Sequence, residues 1–167
     1  DPAGYPRMLH SLAVGLMGHT DEEKMAGFLH DVVEDTGVKS EELPFCDEVK
    51  NIVSLVSFSV PEGKTKEEAK ADYYKKISEN GKACVVKIID RCNNVSTMAG
   101  SFRKEKLEEY VNETEKYVLP LTNVLKNDYP EYRGKTLPIE KNYRNSKPIN
   151  EFIDRFVESA KSYGDLH

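Results

Sequence analysis

Side chains that could do chemistry stand close together in the stretch that runs from His30 to Thr36, with the sequence His-Asp-Val-Val-Glu-Asp-Thr. On a helix, His30 and Glu34 would share one face, and Asp31 and Asp35 would lie beside them. Carboxylates at this spacing repel one another, and a helix C-terminus adds a further cost for negative charge. A bound divalent cation would offset both costs. The stretch alone leaves a solvated acidic helix end as the alternative.

Two further candidate ligands lie far from this stretch in the chain. His10 lies in an apolar segment, where a lone histidine is more often a core residue, and Asp90 directly follows the apolar run 83–89. An aspartate in that place is usually an ion pair or a cap. Together with His30 and Asp31, however, these residues form a mixed nitrogen and oxygen ligand set. Such a set suits Mn, Fe, Zn or Mg rather than a metal bound by thiolates.

The order of these residues resembles the HD superfamily of metal-dependent phosphohydrolases and, within it, the RelA/SpoT branch. That branch typically shows the motif HDxxEDT and, further along, K(I/L)xDRxxN. Here the first motif begins at His30, and the second is the run 87–94, which reads Lys-Ile-Ile-Asp-Arg-Cys-Asn-Asn. The resemblance extends from about Gly4 to the region of Tyr117, and the combination of both motifs is specific.

The resemblance implies an all-α HD-domain bundle with a metal site between its helices, which holds one divalent cation, expected to be Mn²⁺. The implied ligands are two histidines and two aspartates: His10, His30, Asp31 and Asp90. Glu34 and Asp35 match the catalytic acidic pair that activates and positions the attacking water. The implied substrate-binding residues belong to the second motif and the segment after it: Lys87, Arg91, Asn94 and Thr97.

The activity that the resemblance implies is removal of the 3′-pyrophosphate from guanosine 3′,5′-bis(diphosphate), the alarmone of the stringent response. No synthetase activity is expected, since the chain is too short to add the separate synthetase domain of bifunctional members. Two alternatives stay open. One is an HD-fold phosphohydrolase that acts on another nucleotide or phosphate ester, and the other is a non-catalytic module that binds a metal or a nucleotide.

The sequence departs from the branch at several positions. Asp1-Pro2 stands where alarmone hydrolases carry an adjacent Arg-Lys pair that contacts guanine, Ser11 replaces a Pro, and Ser96 replaces a common Arg. The leading helix of the branch is absent from a chain that begins at Asp1 rather than Met, so we expect an N-terminal element to be missing. Because the ligands remain, we expect that the site still binds phosphate and that its selectivity for the base is looser.

Composition limits the partners that the chain is expected to have. With 167 residues and 38% hydrophobic residues, it can form one modest core, and no apolar run is long enough to span a membrane. The net charge of −5 argues against a general nucleic-acid binder. The three cysteines are odd in number and show no CxxC spacing, which favours a reduced, cytoplasmic setting. The expected partner is a small nucleotide, without nucleic acid or membrane, and the oligomeric state is left open.

The elements that must position these residues are predicted to be helical. Thr20 and Glu23 form a capping box that begins a helix with an apolar stripe as far as Val33, and Gly37 ends it. Other helices are predicted around 10–18, 49–56, 67–77, 104–126 with a kink at Pro120, and 150–163. The HD domain is assigned to residues 1–127. Residues 128–167 are predicted to form an irregular connection and a C-terminal helix that packs on the same domain.

The run 83–94 is ambiguous by pattern alone. Its core, Val85 to Ile89, is rich in β-branched residues and is typical of a buried strand. No second run of this kind exists elsewhere in the chain to pair with it, and a lone strand is not a stable element. We therefore predict a buried helix, in which Asp90 faces the same cavity as His30.

Overall fold

The computed structural model describes residues 7–98, 109–110 and 112–132. Within these ranges all regular structure is helical, which confirms the all-α prediction for this part of the chain. The helices that carry the candidate site follow in chain order: α1 Arg7–Met17, α2 Asp21–Leu29, α3 Val32–Thr36, α4 Asp47–Val56, α5 Lys66–Ser78 and α6 Gly81–Met98. None of the described helices is both long enough and apolar enough to cross a membrane. The three cysteines are free thiols.

The capping box predicted at the start of α2 is confirmed. The Thr20 hydroxyl accepts a hydrogen bond from the Glu23 N–H at 3.2 Å, and Glu23 Oε2 accepts one from the Thr20 N–H at 3.2 Å. Thr65 and Glu68 repeat the arrangement at the start of α5. Each box satisfies backbone donors that have no partner within the helix, and so fixes the residue at which the helix begins.

The prediction of one continuous helix from the capping box to Gly37 is wrong, because His30 and Asp31 separate α2 from α3. The His30 imidazole donates from Nδ1 to the Gly27 carbonyl at 2.7 Å. In an uninterrupted helix that carbonyl would accept from the N–H of Asp31. A side chain that occupies it competes with the helical ladder at this point. Gly37, with φ of 72°, ends α3 as predicted, and its N–H donates to the Val33 carbonyl at 3.2 Å.

The ambiguous run is helical, as predicted, and forms the buried centre of α6. Ala83, Cys84, Val85, Val86, Ile88 and Ile89 are each at most 2% exposed. The β-branched residues therefore follow their burial rather than their intrinsic strand preference. The apolar face predicted for α4 lies in the same core, at Val49, Ile52, Val53 and Val56.

The chain forms two compact units, which divide between Thr97 and Met98. In the second unit, a π-helical turn at Thr114–Val118 leads into the helix Leu119–Asp128. Pro120 lacks a backbone N–H, so an irregular turn next to it is expected on physical grounds. The predicted domain boundary at residue 127 stays a prediction. The predicted helix at 150–163 and most of the preceding connection lie outside the described residues.

Two glycines let α1 and α2 approach closely, and this approach brings the two histidines of the candidate site together. A Cβ atom on Gly27 would lie 2.9 Å from both the Cα and the backbone nitrogen of Gly15. A Cβ atom on Gly15 would in turn collide with the Phe28 ring. Since backbone atoms cannot give way as a flexible side chain does, the helices keep this spacing only while position 27 has no side chain.

We therefore expect Gly27→Ala to push α1 away from α2, to lower the free energy of unfolding by about 1–3 kcal/mol, and to weaken metal binding. Gly37→Ala is the matched control: position 37 has a positive φ, and no heavy atom lies within 4 Å of a Cβ built there. That control should lose stability through backbone strain alone. Melting curves and Mn²⁺ titrations of both variants test this. Equal Mn²⁺ affinity in the two variants would contradict the assigned role of the close approach.

Candidate metal centre

Three side chains from separate helical segments converge on one point. His10 extends from α1, His30 follows α2, and Asp90 lies on α6. The Nε2 atoms of the two histidines are 3.0 Å apart. Asp90 Oδ1 lies 3.1 Å from Nε2 of His10 and 3.6 Å from Nε2 of His30. His30 and Asp90 are buried, and His10 is mostly buried, so the three potential ligands share a largely dry site.

Asp31 approaches the same point from its exposed side. Its Oδ1 lies 3.1 Å from Nε2 of His30, and its Oδ2 lies 3.8 Å from Nε2 of His10. The Asp31 side chain is 34% exposed, compared with 5% for His30. The structure therefore groups three of the predicted ligands, His10, His30 and Asp90, and places Asp31 beside the two histidines where the cluster meets solvent.

The hydrogen bonds of the two imidazoles turn their Nε2 atoms toward the cluster. Nδ1 of His30 donates to the Gly27 carbonyl, and Nδ1 of His10 lies 2.7 Å from the Asn93 side-chain oxygen. With each Nδ1 carrying a hydrogen, each neutral ring directs the lone pair of Nε2 inward. Two lone pairs and a carboxylate oxygen at these distances need a positive charge between them.

A proton or a metal cation can supply that charge. Burial lowers the pKa of His10 and of His30, but the hydrogen bonds and negative charge of Asp90 outweigh burial and raise both pKa values. Two imidazole nitrogens with carboxylate oxygens, each imidazole oriented by an outer hydrogen bond, are a donor set that fits a divalent cation. These residues could hold a divalent metal.

Asp90 is held by two neighbours on its own helix. Asn94 donates from Nδ2 to Oδ1 at 2.6 Å, and Lys87 donates from Nζ to Oδ2 at 2.9 Å. Burial alone would raise the pKa of Asp90, but Lys87 and the two histidines hold it well below its usual range. Burial alone would likewise lower the pKa of Lys87, yet Asp90 keeps it well above its usual value. The pair therefore remains ionised, and the carboxylate keeps its negative charge.

The predicted acidic pair occupies the short helix α3. Glu34 Oε1 accepts a hydrogen bond from the backbone N–H of Phe58 at 2.7 Å. Neighbouring protein atoms raise the pKa of the Glu34 carboxyl through burial, while the Phe58 N–H and Lys87 act in the opposite direction. Asp35 is exposed, and its backbone N–H donates to the Asp31 carbonyl at 2.8 Å. The Glu34 carboxylate is therefore oriented by a backbone group that follows α4.

The remaining predicted residues have differing surroundings. Arg91 is 4% exposed and donates from its guanidinium to the Tyr74 hydroxyl at 3.1 Å. Lys87 and Asn94 both donate a hydrogen bond to Asp90, which is a candidate metal ligand. Thr97 belongs to α6, and its side chain lies outside the described ones. Substrate binding by these four residues stays a prediction.

Sequence reasoning missed the groups that orient the candidate ligands. Asn93 follows Asp90 by three positions on α6, and this spacing could have indicated that both face one cavity. The Gly27 carbonyl and the Phe58 N–H are backbone groups, which carry no signature of their own in a sequence. Tyr73, whose ring lies 5.6 Å from Nζ of Lys87, gave no motif either.

Comparisons with curated proteins place the chain near alarmone enzymes. It is 30% identical over 177 aligned residues, which cover 92% of this chain, to a guanosine-3′,5′-bis(diphosphate) 3′-pyrophosphohydrolase of Aquifex aeolicus. A protein of the same name from Haemophilus influenzae is 32% identical over 74% of this chain. A GTP pyrophosphokinase of Myxococcus xanthus is 32% identical over 74%. No family model matches the chain.

These relatives are much longer proteins. The chain spans 25% of the length of the Aquifex aeolicus protein, 20% of the Haemophilus influenzae protein and 18% of the Myxococcus xanthus protein. The similarity therefore concerns one portion of each relative. Because 74% or more of this chain is matched in each case, that portion is long enough to include both motifs of the candidate site.

Proposed function

The chain belongs to the RelA/SpoT-type branch of the HD superfamily, and on that premise we propose that it hydrolyses guanosine 3′,5′-bis(diphosphate) at the 3′-pyrophosphate. The observation that carries the proposal is the meeting of two inward-facing Nε2 atoms, 3.0 Å apart, with a buried Asp90 carboxylate. The relatives suggest the substrate class, since three of those most similar to the chain are named for alarmone or GTP pyrophosphate chemistry.

The proposed cofactor is one Mn²⁺ ion, held by His10, His30, Asp31 and Asp90. Imidazole and carboxylate ligands in a mixed set suit this ion, and the site offers no thiolate among its described ligands. When bound, a divalent metal lowers the pKa of its water and neutralises charge on a phosphoryl oxygen. The outer hydrogen bonds at Gly27 and Asn93 are expected to keep both imidazoles in the tautomer that binds metal.

Glu34 is the proposed general base. Its Oε1 is held by the Phe58 N–H, so Oε2 is the oxygen that we expect to accept the proton from the attacking water. The water oxygen bonds to the phosphorus next to the ribose, the bond from that phosphorus to the 3′-oxygen breaks, and the 3′-oxygen takes a proton. The products are pyrophosphate and guanosine 5′-diphosphate. Asp35, exposed beside this route, is the proposed partner that positions the water.

Lys87 and Asn94 support the reaction through Asp90 in this proposal. The Lys87 ammonium neutralises part of the acidic cluster, and Asn94 keeps Oδ1 of Asp90 directed at the histidines. Contacts of Lys87, Arg91, Asn94 and Thr97 with the nucleotide are proposed from the resemblance alone. Two of the four, Lys87 and Arg91, carry positive charge, which is suited to phosphate rather than to any one base.

We expect Mn²⁺-dependent turnover of guanosine 3′,5′-bis(diphosphate), abolished by a chelator, with a preference over the adenosine analogue below about a hundredfold. Phosphate contacts do not discriminate between bases, and Asp1-Pro2 cannot stack on guanine or bond to it as an Arg-Lys pair would. The measurement compares kcat/KM for the two bis(diphosphates) and follows release of pyrophosphate.

Two results would change the proposal. A larger preference for guanosine would mean that a different residue recognises the base. Turnover of another phosphate ester, with neither bis(diphosphate) cleaved, would favour the alternative of an HD-fold phosphohydrolase with a different substrate. Mn²⁺ binding without turnover of any phosphorylated nucleotide would favour the non-catalytic module.

A further inference from the structure

One aromatic residue of α5, Tyr73, contacts both halves of the candidate site. Its ring faces the Lys87 ammonium, with Nζ 5.6 Å from the ring centroid, and meets the Phe58 ring edge-on at a centroid distance of 5.3 Å. Lys87 is bonded to Asp90, and the Phe58 N–H holds Glu34. We propose that Tyr73 is a positioning residue that orients the metal ligand and the general base together, an inference that rests on the proposed function.

The Tyr73 ring is itself held firmly. Its hydroxyl donates to the Val56 carbonyl at the end of α4. One side of the ring meets the Tyr74 ring at an interplanar angle of 74° and a centroid distance of 5.0 Å, and another meets Phe58 at 71°. A ring fixed at its hydroxyl and by two edge-to-face contacts cannot rotate away from Lys87 without breaking one of them. It can therefore serve as a rigid support for a flexible neighbour.

Lys87 needs such a support because its side chain has several rotatable bonds and a compact charge. An ammonium within about 6 Å of an aromatic centroid is attracted to the ring face. The ring thus favours the rotamer in which Nζ reaches Oδ2 of Asp90 at 2.9 Å. Without the ring, the ammonium gains other rotamers. Asp90 then loses its restraint at Oδ2 and is held on α6 only by the Asn94 bond to Oδ1, so its carboxylate can turn away from the two histidines.

Charge balance gives the same arrangement a second consequence. The carboxylates of Asp31, Glu34 and Asp90 carry three negative charges. One divalent cation would balance two of them, and the Lys87 ammonium balances the third. The Tyr73 ring also contacts Phe58, whose N–H holds the Glu34 carboxylate at 2.7 Å. Loss of the Tyr73 ring should therefore impair metal affinity and the chemical step together, while contacts with the nucleotide base are left intact.

The test compares Tyr73→Leu with Tyr73→Phe in the full chain. Mn²⁺ affinity is measured by the loss of the free-ion EPR signal on titration, and kcat and KM are measured at saturating Mn²⁺. Tyr73→Leu should weaken Mn²⁺ binding and lower kcat by about tenfold or more each, with KM nearly unchanged. Tyr73→Phe keeps the ring under Lys87 and should restore both values close to those of the original chain.

Ile77→Val is the control for general destabilisation, because Ile77 is fully buried one turn further along α5. It should lower the melting temperature and leave Mn²⁺ affinity unchanged. If Tyr73→Leu does not fold, Tyr73→Met fills similar space without an aromatic face and replaces it. The inference is overturned if Tyr73→Leu, or Tyr73→Met in its place, keeps the original affinity and kcat, or if Tyr73→Phe is as impaired as that variant. Should the original chain cleave no alarmone, the proposed function fails, and Mn²⁺ affinity alone decides this inference.

Discussion

Replacement of Glu34 by glutamine is expected to lower kcat by about 10²- to 10⁴-fold, the usual contribution of a general base, and to leave Mn²⁺ affinity nearly unchanged. Glutamine keeps the length of the side chain, and its oxygen can still accept the hydrogen bond that the Phe58 N–H now gives to Glu34 at 2.7 Å. What glutamine cannot do is take a proton from the attacking water. Because Glu34 is not one of the four proposed ligands, the metal should still bind.

The measurement pairs single-turnover rates with Mn²⁺ titration for Glu34→Gln. Glu41→Gln is the matched control, since it removes one exposed carboxylate from the same region of the chain, outside the candidate site, and should change neither value. Activity above about a tenth of the original in Glu34→Gln would show that the proton goes elsewhere. In that case Asp35→Asn should carry the large loss, and the roles of the acidic pair would be exchanged.

The parts of the fold that follow from helix caps and from the burial of apolar residues were predictable from the sequence. The Thr20–Glu23 box, the apolar faces of α4 and α6, and the left-handed Gly37 each follow a local rule, and each is confirmed. Even the β-branched run of α6 could be assigned, because no partner strand existed for it. At these positions the local sequence pattern and the tertiary packing favour the same structure.

The break between α2 and α3 was not predictable, because it depends on a side chain that replaces a backbone donor. The competition can be recognised only when the orientation of the His30 side chain toward the Gly27 carbonyl is known. Helix propensity and hydrophobic spacing both continue through the break, from Phe28 to Val33. Local rules fail here at a residue of the candidate site, where function and regular structure compete.

The candidate ligands were predicted by type and order, whereas the groups that orient them depend on three-dimensional neighbours. The two motifs indicated His30 and Asp90, yet only the packing of α1 against α2 brings His10 to 3.0 Å from His30. The same holds for Tyr73, which lies in a polar helix with no motif. Outer contacts of this kind arise from helix crossing and backbone groups, which composition and spacing do not encode.

Substitution of His30 by alanine is expected to abolish metal binding and turnover together. The change removes one Nε2 ligand and also the hydrogen bond to the Gly27 carbonyl that interrupts the helix. Loss of an outer-shell partner typically costs about 10–100-fold in metal affinity, so loss of a ligand should exceed this range. The contrast with Glu34→Gln, which should keep the metal and lose only the chemistry, separates a ligand from a base.

Thermal melting with and without Mn²⁺ checks this prediction without any substrate. A ligand present at a hundred times its dissociation constant stabilises the folded state by about 2.7 kcal/mol, so Mn²⁺ should raise the melting temperature of the original chain. The rise should vanish in His30→Ala and persist in His19→Ala, which removes an imidazole just before α2 and keeps the backbone N–H that donates to Glu23. Since His30 is buried, His30→Gln replaces the alanine variant if that protein does not fold. A full Mn²⁺-induced rise in the His30 variant would mean that the ion binds elsewhere, and the candidate centre would have to be abandoned.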